Sequence, residues 1–171
     1  MLNILGKTRA RRQSAAGLYA GIVARAREPV FYTEFAVRDT IDGRFDLLAL
    51  HAWLALERLG AAHLNDLSQD LTNMIFVGFD ESLRDLGAGD MGIGRRIKML
   101  ANAFFGRLQA YRAATGPGAM EAALARNLYR GAGTGHGAAI ARYVESARAH
   151  LDGQDLACGR IDFGPPPVSD S

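Results

Sequence analysis

The chain has a single cysteine, Cys158, in 171 residues. One thiol excludes an internal disulfide framework and a zinc site built from cysteines. Only Arg160 lies near it as a cation, so Cys158 reads as an incidental thiol. Proline is scarce: Pro29 and Pro117 fall at breaks in the hydrophobic pattern, and Pro165-Pro166-Pro167 lie near the end. Long apolar runs are missing too. Spanning a bilayer takes roughly 18–20 apolar residues, and the longest candidates, Leu47–Leu56 and Leu71–Phe79, fit amphipathic core helices. The start of the chain imitates a secretory signal, but Arg25 sits inside the would-be cleavage site Ala24-Arg25-Ala26. Its Arg-rich, acid-free character is also that of a mitochondrial presequence. We read it as part of the mature protein.

Reactive motifs are absent as well. There is no G-x-S-x-G elbow around Ser14, Ser68, Ser82 or Ser146, no P-loop and no H-E-x-x-H. His51, His63, His136 and His150 show no metal-binding spacing, so neither metal nor cofactor is expected. Gly87-Ala-Gly89-Asp-Met-Gly92 matches G-x-G-x-x-G, but a helical pattern precedes it and no ribose-binding acid follows. A helix-to-helix turn is the better reading. Asp39-Thr40-Ile41-Asp42 places two acids in a turn, where capping is expected ahead of acid–base catalysis. His51 is expected in the core or an interface, with axial haem ligation as the alternative.

What is present is a hydrophobic fraction of 49% with 22% charged residues, enough for one domain with a sizeable core. The net charge of +2 conceals segregation. Residues 1–27 carry six bases and no acid, and residues 28–90 carry 12 acids and 4 bases. Residues 91–151 carry 9 bases and 2 acids, and the last 20 residues are acidic. Such blocks either face a charged surface or attract one another within the fold.

The periodicity predicts an all-α, single-domain bundle of about six helices. The first, over 13–27, carries Leu18 and Ile22 and stops before Pro29. Phe31–Val37 is irregular. The second helix spans about 43–59 after the Asp42-Gly43 turn signal and is apolar nearly all round. That pattern means burial or a second binding face. The third spans about 64–86, with Gly87 as a left-handed cap. The fourth spans about 91–115, with Asp90 as N-cap and a basic exterior. Gly116-Pro117-Gly118 and Gly131–Gly137 separate a fifth over 119–129 from a sixth over 138–151. Residues 1–12 are expected as an extended basic arm, 13–152 as the helical domain, and the Pro-rich residues 153–171 as an extended or disordered tail.

Two sequence blocks carry a resemblance. The first contains Asp39-Thr40, Gly43-Arg44-Phe45 and Leu50-His51-Ala52-Trp53. The second contains Leu86-Gly87, Asp90, Arg96, Lys98-Met99 and Phe104-Phe105-Gly106-Arg107. A weaker third contains Tyr143-Val144 and His150-Leu151-Asp152. Together, over about residues 32–152, they resemble the ubiquinol–cytochrome c chaperone family. The family's Phe-Tyr before Gly-Arg is Phe104-Phe105 here. The resemblance implies a non-enzymatic assembly factor for the cytochrome bc1 complex that binds newly made cytochrome b, in eukaryotes with a small partner subunit and near the mitochondrial ribosome. The shorter chain looks bacterial. The implied location is cytoplasmic, peripheral on the inner membrane, or mitochondrial for a eukaryotic chain.

A chaperone for a membrane protein needs apolar surface to hold a transmembrane segment, in the helix-in-groove mode. Phe45, His51, Trp53, Phe104 and Phe105 are the candidate groove residues, with the core as the competing place for them. Lys7, Arg9, Arg11, Arg12, Arg95, Arg96 and Lys98 are candidates to face anionic membrane or ribosomal RNA. DNA is not expected as a partner. Two other readings stand beside this one: a basic adaptor for RNA, ribosome or membrane, and a small-molecule enzyme with an interhelical pocket.

Overall fold

A computed structural model describes residues 2–85, 90–133 and 135–168. The described residues form seven α-helices and one 3₁₀ turn, with no strand among them. The helices are α1 (Leu2–Ala26), α2 (Val30–Thr33), α3 (Ile41–Ala61), α4 (Asn65–Asp85), α5 (Asp90–Arg112), α6 (Ala119–Asn127) and α7 (Gly137–Asp152). The all-α expectation holds, and the five helices expected after residue 40 lie close to their expected bounds. Gly87, expected as a helix cap, lies outside the described residues, as do Ala88 and Gly89 of the glycine-rich match.

Helix α3 occupies the centre. It packs against α1, α4, α5 and α7. That is why it is apolar nearly all round: Leu47, Leu50, Trp53, Leu54 and Leu59 point in several directions and all are buried. Its start is set by Thr40, whose extended backbone lets the side-chain oxygen accept the Gly43 N–H at 3.1 Å. Helix directions follow from the pairs that meet. Arg11 and Tyr19 of α1 meet Asp70 and Gly78 of α4, so these two run in the same sense. His51 and Arg58 of α3 meet Tyr143 and Leu151 of α7, so those two are likewise parallel.

Three differences from expectation stand out, each due to tertiary contact. From Leu2 onward the basic segment of residues 1–12 is helix, continuous with α1. No proline interrupts it, and Arg11 ties it to Asp66 and Asp70 at the start of α4, at 2.8 and 2.6 Å. Within Phe31–Val37, Val30–Thr33 form one helical turn whose Phe31 is fully buried. The tail is extended but packed. Leu156, Phe163 and Pro167 are buried, and the chain runs over α1 so closely that a Cβ on Gly17 would strike the Gly159 backbone. Gly21 makes the same room for Ile161.

Candidate functional site

Five rings from three helices form one continuous cluster. Phe45 of α3 lies 5.4 Å from Phe79 of α4, and Phe76 lies 5.6 Å from Phe79. Phe104 of α5 approaches Phe76 and Phe79 at 5.8 and 6.0 Å, mostly edge to face, the favoured arrangement. Phe105 closes the chain at 5.8 Å from Phe76 and 5.5 Å from Phe104. Burial falls along the cluster. Phe104 is fully buried, Phe45 and Phe76 are partly buried, and Phe105 is 50% exposed. The cluster therefore begins in the core and ends as an apolar edge in solvent.

A buried carboxylate anchors one end. Asp46, one residue after Phe45, is completely buried. Arg107 of α5 reaches its Oδ1 through Nε and Nη2 at 2.7 and 2.6 Å, and its guanidinium lies 4.8 Å from the Phe45 ring. Arg130, after α6, reaches Oδ2 at 3.1 Å and Asp42 at 2.9 Å. Burial pushes the Asp46 carboxyl up, and both arginines pull it back. Arg130 has φ 52° and Ala36 φ 53°, left-handed values uncommon outside glycine. Both line a cleft of about 210 Å³ together with Arg38, Thr40, Asp42 and Asp46. A Cβ on Gly43 would strike the Arg38 carbonyl, which explains glycine at that point of the first block. The cleft does hold two acids, but Arg130 binds both, so neither is a free base.

His51 sits on another face of α3 and is sealed. Its Nδ1 lies 2.8 Å from the Leu47 carbonyl, which can only accept, so the ring proton resides there. Nε2 then accepts the Tyr143 hydroxyl proton at 2.8 Å. Phe163 of the tail covers the ring at 5.0 Å and Phe31 at 5.4 Å. Burial pushes His51 down to about 4 and pushes the Tyr143 phenol up. With both nitrogens engaged, His51 is a neutral core group with no free ligand atom for haem. Trp53 is also core. It packs 5.4 Å from Tyr111, with Arg148 5.5 Å from its ring. His51 and Trp53 therefore do not line an open groove; α7, α5 and the tail cover them. Phe104 is core too, while Phe45 and Phe105 join it in the aromatic cluster.

The charge blocks are largely used inside the fold. Arg11 pairs with α4, and Arg107, Arg112 and Arg130 pair with Asp46, Glu57 and Asp42. Lys7, Arg9 and Arg12 are exposed on α1, and Arg95, Arg96 and Lys98 are exposed on α5. No group of three or more metal-ligand side chains exists among the described residues. No helix of the described residues is long and apolar enough to cross a membrane. Asp46, Arg130 and Phe76 were missed by sequence reasoning. Asp46 alone carried a signal, as an acid four and seven residues before Leu50 and Trp53 on an otherwise apolar stripe.

The described residues thus form an all-helical scaffold whose buried carboxylate is neutralised and whose aromatic cluster ends in solvent at Phe105. The family model for ubiquinol-cytochrome C chaperone matches residues 33–158, and the chain belongs to that family. It is similar to the crystal structure of the Cbp3 homolog from Brucella abortus, with 37% identity over 96% of this chain and 97% of that one, at a TM-score of 0.84. No curated protein matches the chain. The family makes it a non-enzymatic chaperone of cytochrome bc1 assembly.

Proposed function

We propose that the protein holds newly made cytochrome b before its insertion into the bc1 complex, and that the α4–α5 aromatic edge is where it holds it. The observation that supports this is the exposure of Phe105 on a ring cluster that continues into the core. A transmembrane client exposes apolar helix faces until its partners arrive. A rigid aromatic ledge can cover such a face with little loss of side-chain freedom, the ordering having been completed on folding. Of the residues expected from sequence, Phe45, Phe104 and Phe105 remain in this reading. His51 and Trp53 act only as the core behind it.

The test is crosslinked capture of the tagged protein from its host. The intact protein recovers cytochrome b, and Phe105→Ser recovers much less at an unchanged cellular level. Equal recovery by Phe105→Ser removes the edge from the proposal. Absence of cytochrome b from the intact capture, with normal bc1 levels in a deletion strain, removes the client.

A further inference from the structure

Helix α5 presents an outer face that the core does not use and that borders the aromatic edge at Phe105. Residues 91–120 contain five bases and no acid. Two of those bases, Arg107 and Arg112, are neutralised by Asp46 and Glu57. The other three, Arg95, Arg96 and Lys98, are exposed and make no ion pair among the described residues. Elsewhere in the fold the arginines that face an acidic helix have found it, as Arg11 and Arg130 have. Lys7, Arg9 and Arg12 of α1 are exposed as well, but among the described residues only α5 combines such cations with exposed large apolar side chains, Met99 and Phe105.

Exposed apolar side chains lie among them. Met99 is 64% exposed, the most of any methionine described, and it follows Arg95 by one helical turn. Phe105 follows Lys98 by two turns on the neighbouring stripe. The outer face of α5 thus carries two stripes, each with a cation toward the N-terminus and an apolar group toward the C-terminus. Asn102, Gly106 and Gln109, uncharged and exposed, complete that face. Nucleic acid would engage the cations and leave Met99 without a role. An anionic bilayer surface engages both, since headgroups meet the cations while Met99 enters the headgroup boundary.

From this pattern we infer that the outer face of α5, through Arg95, Arg96, Lys98 and Met99, docks on an anionic lipid surface. The contact is weak and salt-sensitive. Each cation near such a surface is worth about fivefold in partitioning. The inference does not depend on which client the protein holds.

Co-sedimentation of the full chain with phosphatidylcholine vesicles, with and without phosphatidylglycerol, tests it. Binding is expected only with phosphatidylglycerol and fades as salt rises. The triple variant Arg95→Gln, Arg96→Gln, Lys98→Gln should lose on the order of 100-fold in partitioning, with its circular dichroism unchanged because these side chains are exposed and make no ion pair among the described residues. Met99→Asn should lose several-fold with its charge intact. Equal sedimentation with both vesicle types, or an unaffected triple variant, overturns the inference. Salt-sensitive binding of the intact chain to a single-stranded RNA probe without vesicle binding overturns it in favour of a nucleic-acid surface. An unaffected Met99→Asn overturns the interfacial placement. The triple variant leaves the aromatic edge intact, so purified cytochrome b peptide should still crosslink to it. The two proposals can therefore fail separately.

Discussion

Two clusters of rings flank the central helix α3, and they end differently. Around His51 the rings of Phe31, Tyr143 and Phe163 close over one another, with the tail supplying the last ring from far along the chain. Around Phe104 the rings of Phe45, Phe76 and Phe79 close on one side only, and Phe105 is left half in solvent. The first cluster draws on residues both inside and outside the matched span of 33–158, since Phe31 and Phe163 lie beyond it. The second lies wholly inside it. Surplus apolar surface on one helix is thus not a sign of a groove; α3 has surplus because four helices surround it. The open surface arises where two helices, α4 and α5, meet with nothing packed over their junction among the described residues.

The largest effect is expected where the open cluster is anchored. Asp46→Ala leaves Arg107 and Arg130 beside an empty buried site, and breaking a buried pair this way costs about 3–5 kcal/mol. The lower end applies, because Arg130 is partly in water and its share is screened. The strained turn at Arg130 also loses its tether. Denaturant unfolding should show the loss, and a change under about 1 kcal/mol would mean that Asp46 does not hold the edge in place. Phe104→Ala should cost a similar amount, about 3–5 kcal/mol, because the ring is fully buried.

The closed cluster should reveal itself through pH. His51 is held at about 4 in the folded protein against an ordinary value near 6.5. Between those values the unfolded chain binds a proton that the folded chain refuses. The contribution of His51 is therefore complete above about 6.5 and is lost progressively as pH falls toward 4, up to about 3 kcal/mol. Chemical denaturation between pH 7 and 4.5 should show this slope, and His51→Gln should flatten it. An identical slope in both proteins would mean that the ring is not sealed. Next in size is Gly17→Ala, whose Cβ meets the Gly159 backbone. Overpacking of this kind costs about 1–3 kcal/mol, and limited proteolysis should find the tail released. If the tail remains protected, Phe163 is not the lid of the closed cluster.

Sequence reasoning reached the helices and missed what long-range contact decides. The Asp42-Gly43 turn signal and the break at Gly116-Pro117-Gly118 are local, and the ends of α3 and α5 fell near them, with Thr40 as the cap. Asp46 needed partners 61 and 84 residues away, so its burial was invisible to periodicity. Trp53 and Phe105 illustrate the same limit from opposite sides. Both are aromatic residues on expected helices, yet one is sealed by Tyr111 and the other is half exposed. Apolar spacing records that a face is covered, but not by what. The arm expected as extended is helical, and the tail expected as extended or disordered is extended and packed, for a related reason: polar or Gly-containing segments become ordered when a specific neighbour exists, as Asp70 does for Arg11.

The smallest effect on stability is the most informative about function. Phe105→Ser removes a ring already half in water, so it forfeits little burial, well under the about 3–5 kcal/mol of its neighbour Phe104. Thermal unfolding should shift by only a degree or two relative to the parent. A variant that folds normally yet crosslinks to much less cytochrome b would separate the two adjacent phenylalanines into one that builds the ledge and one that uses it. Should Phe105→Ser instead destabilise as strongly as Phe104→Ala, the exposed edge belongs to the core, and the difference between the open and closed clusters disappears.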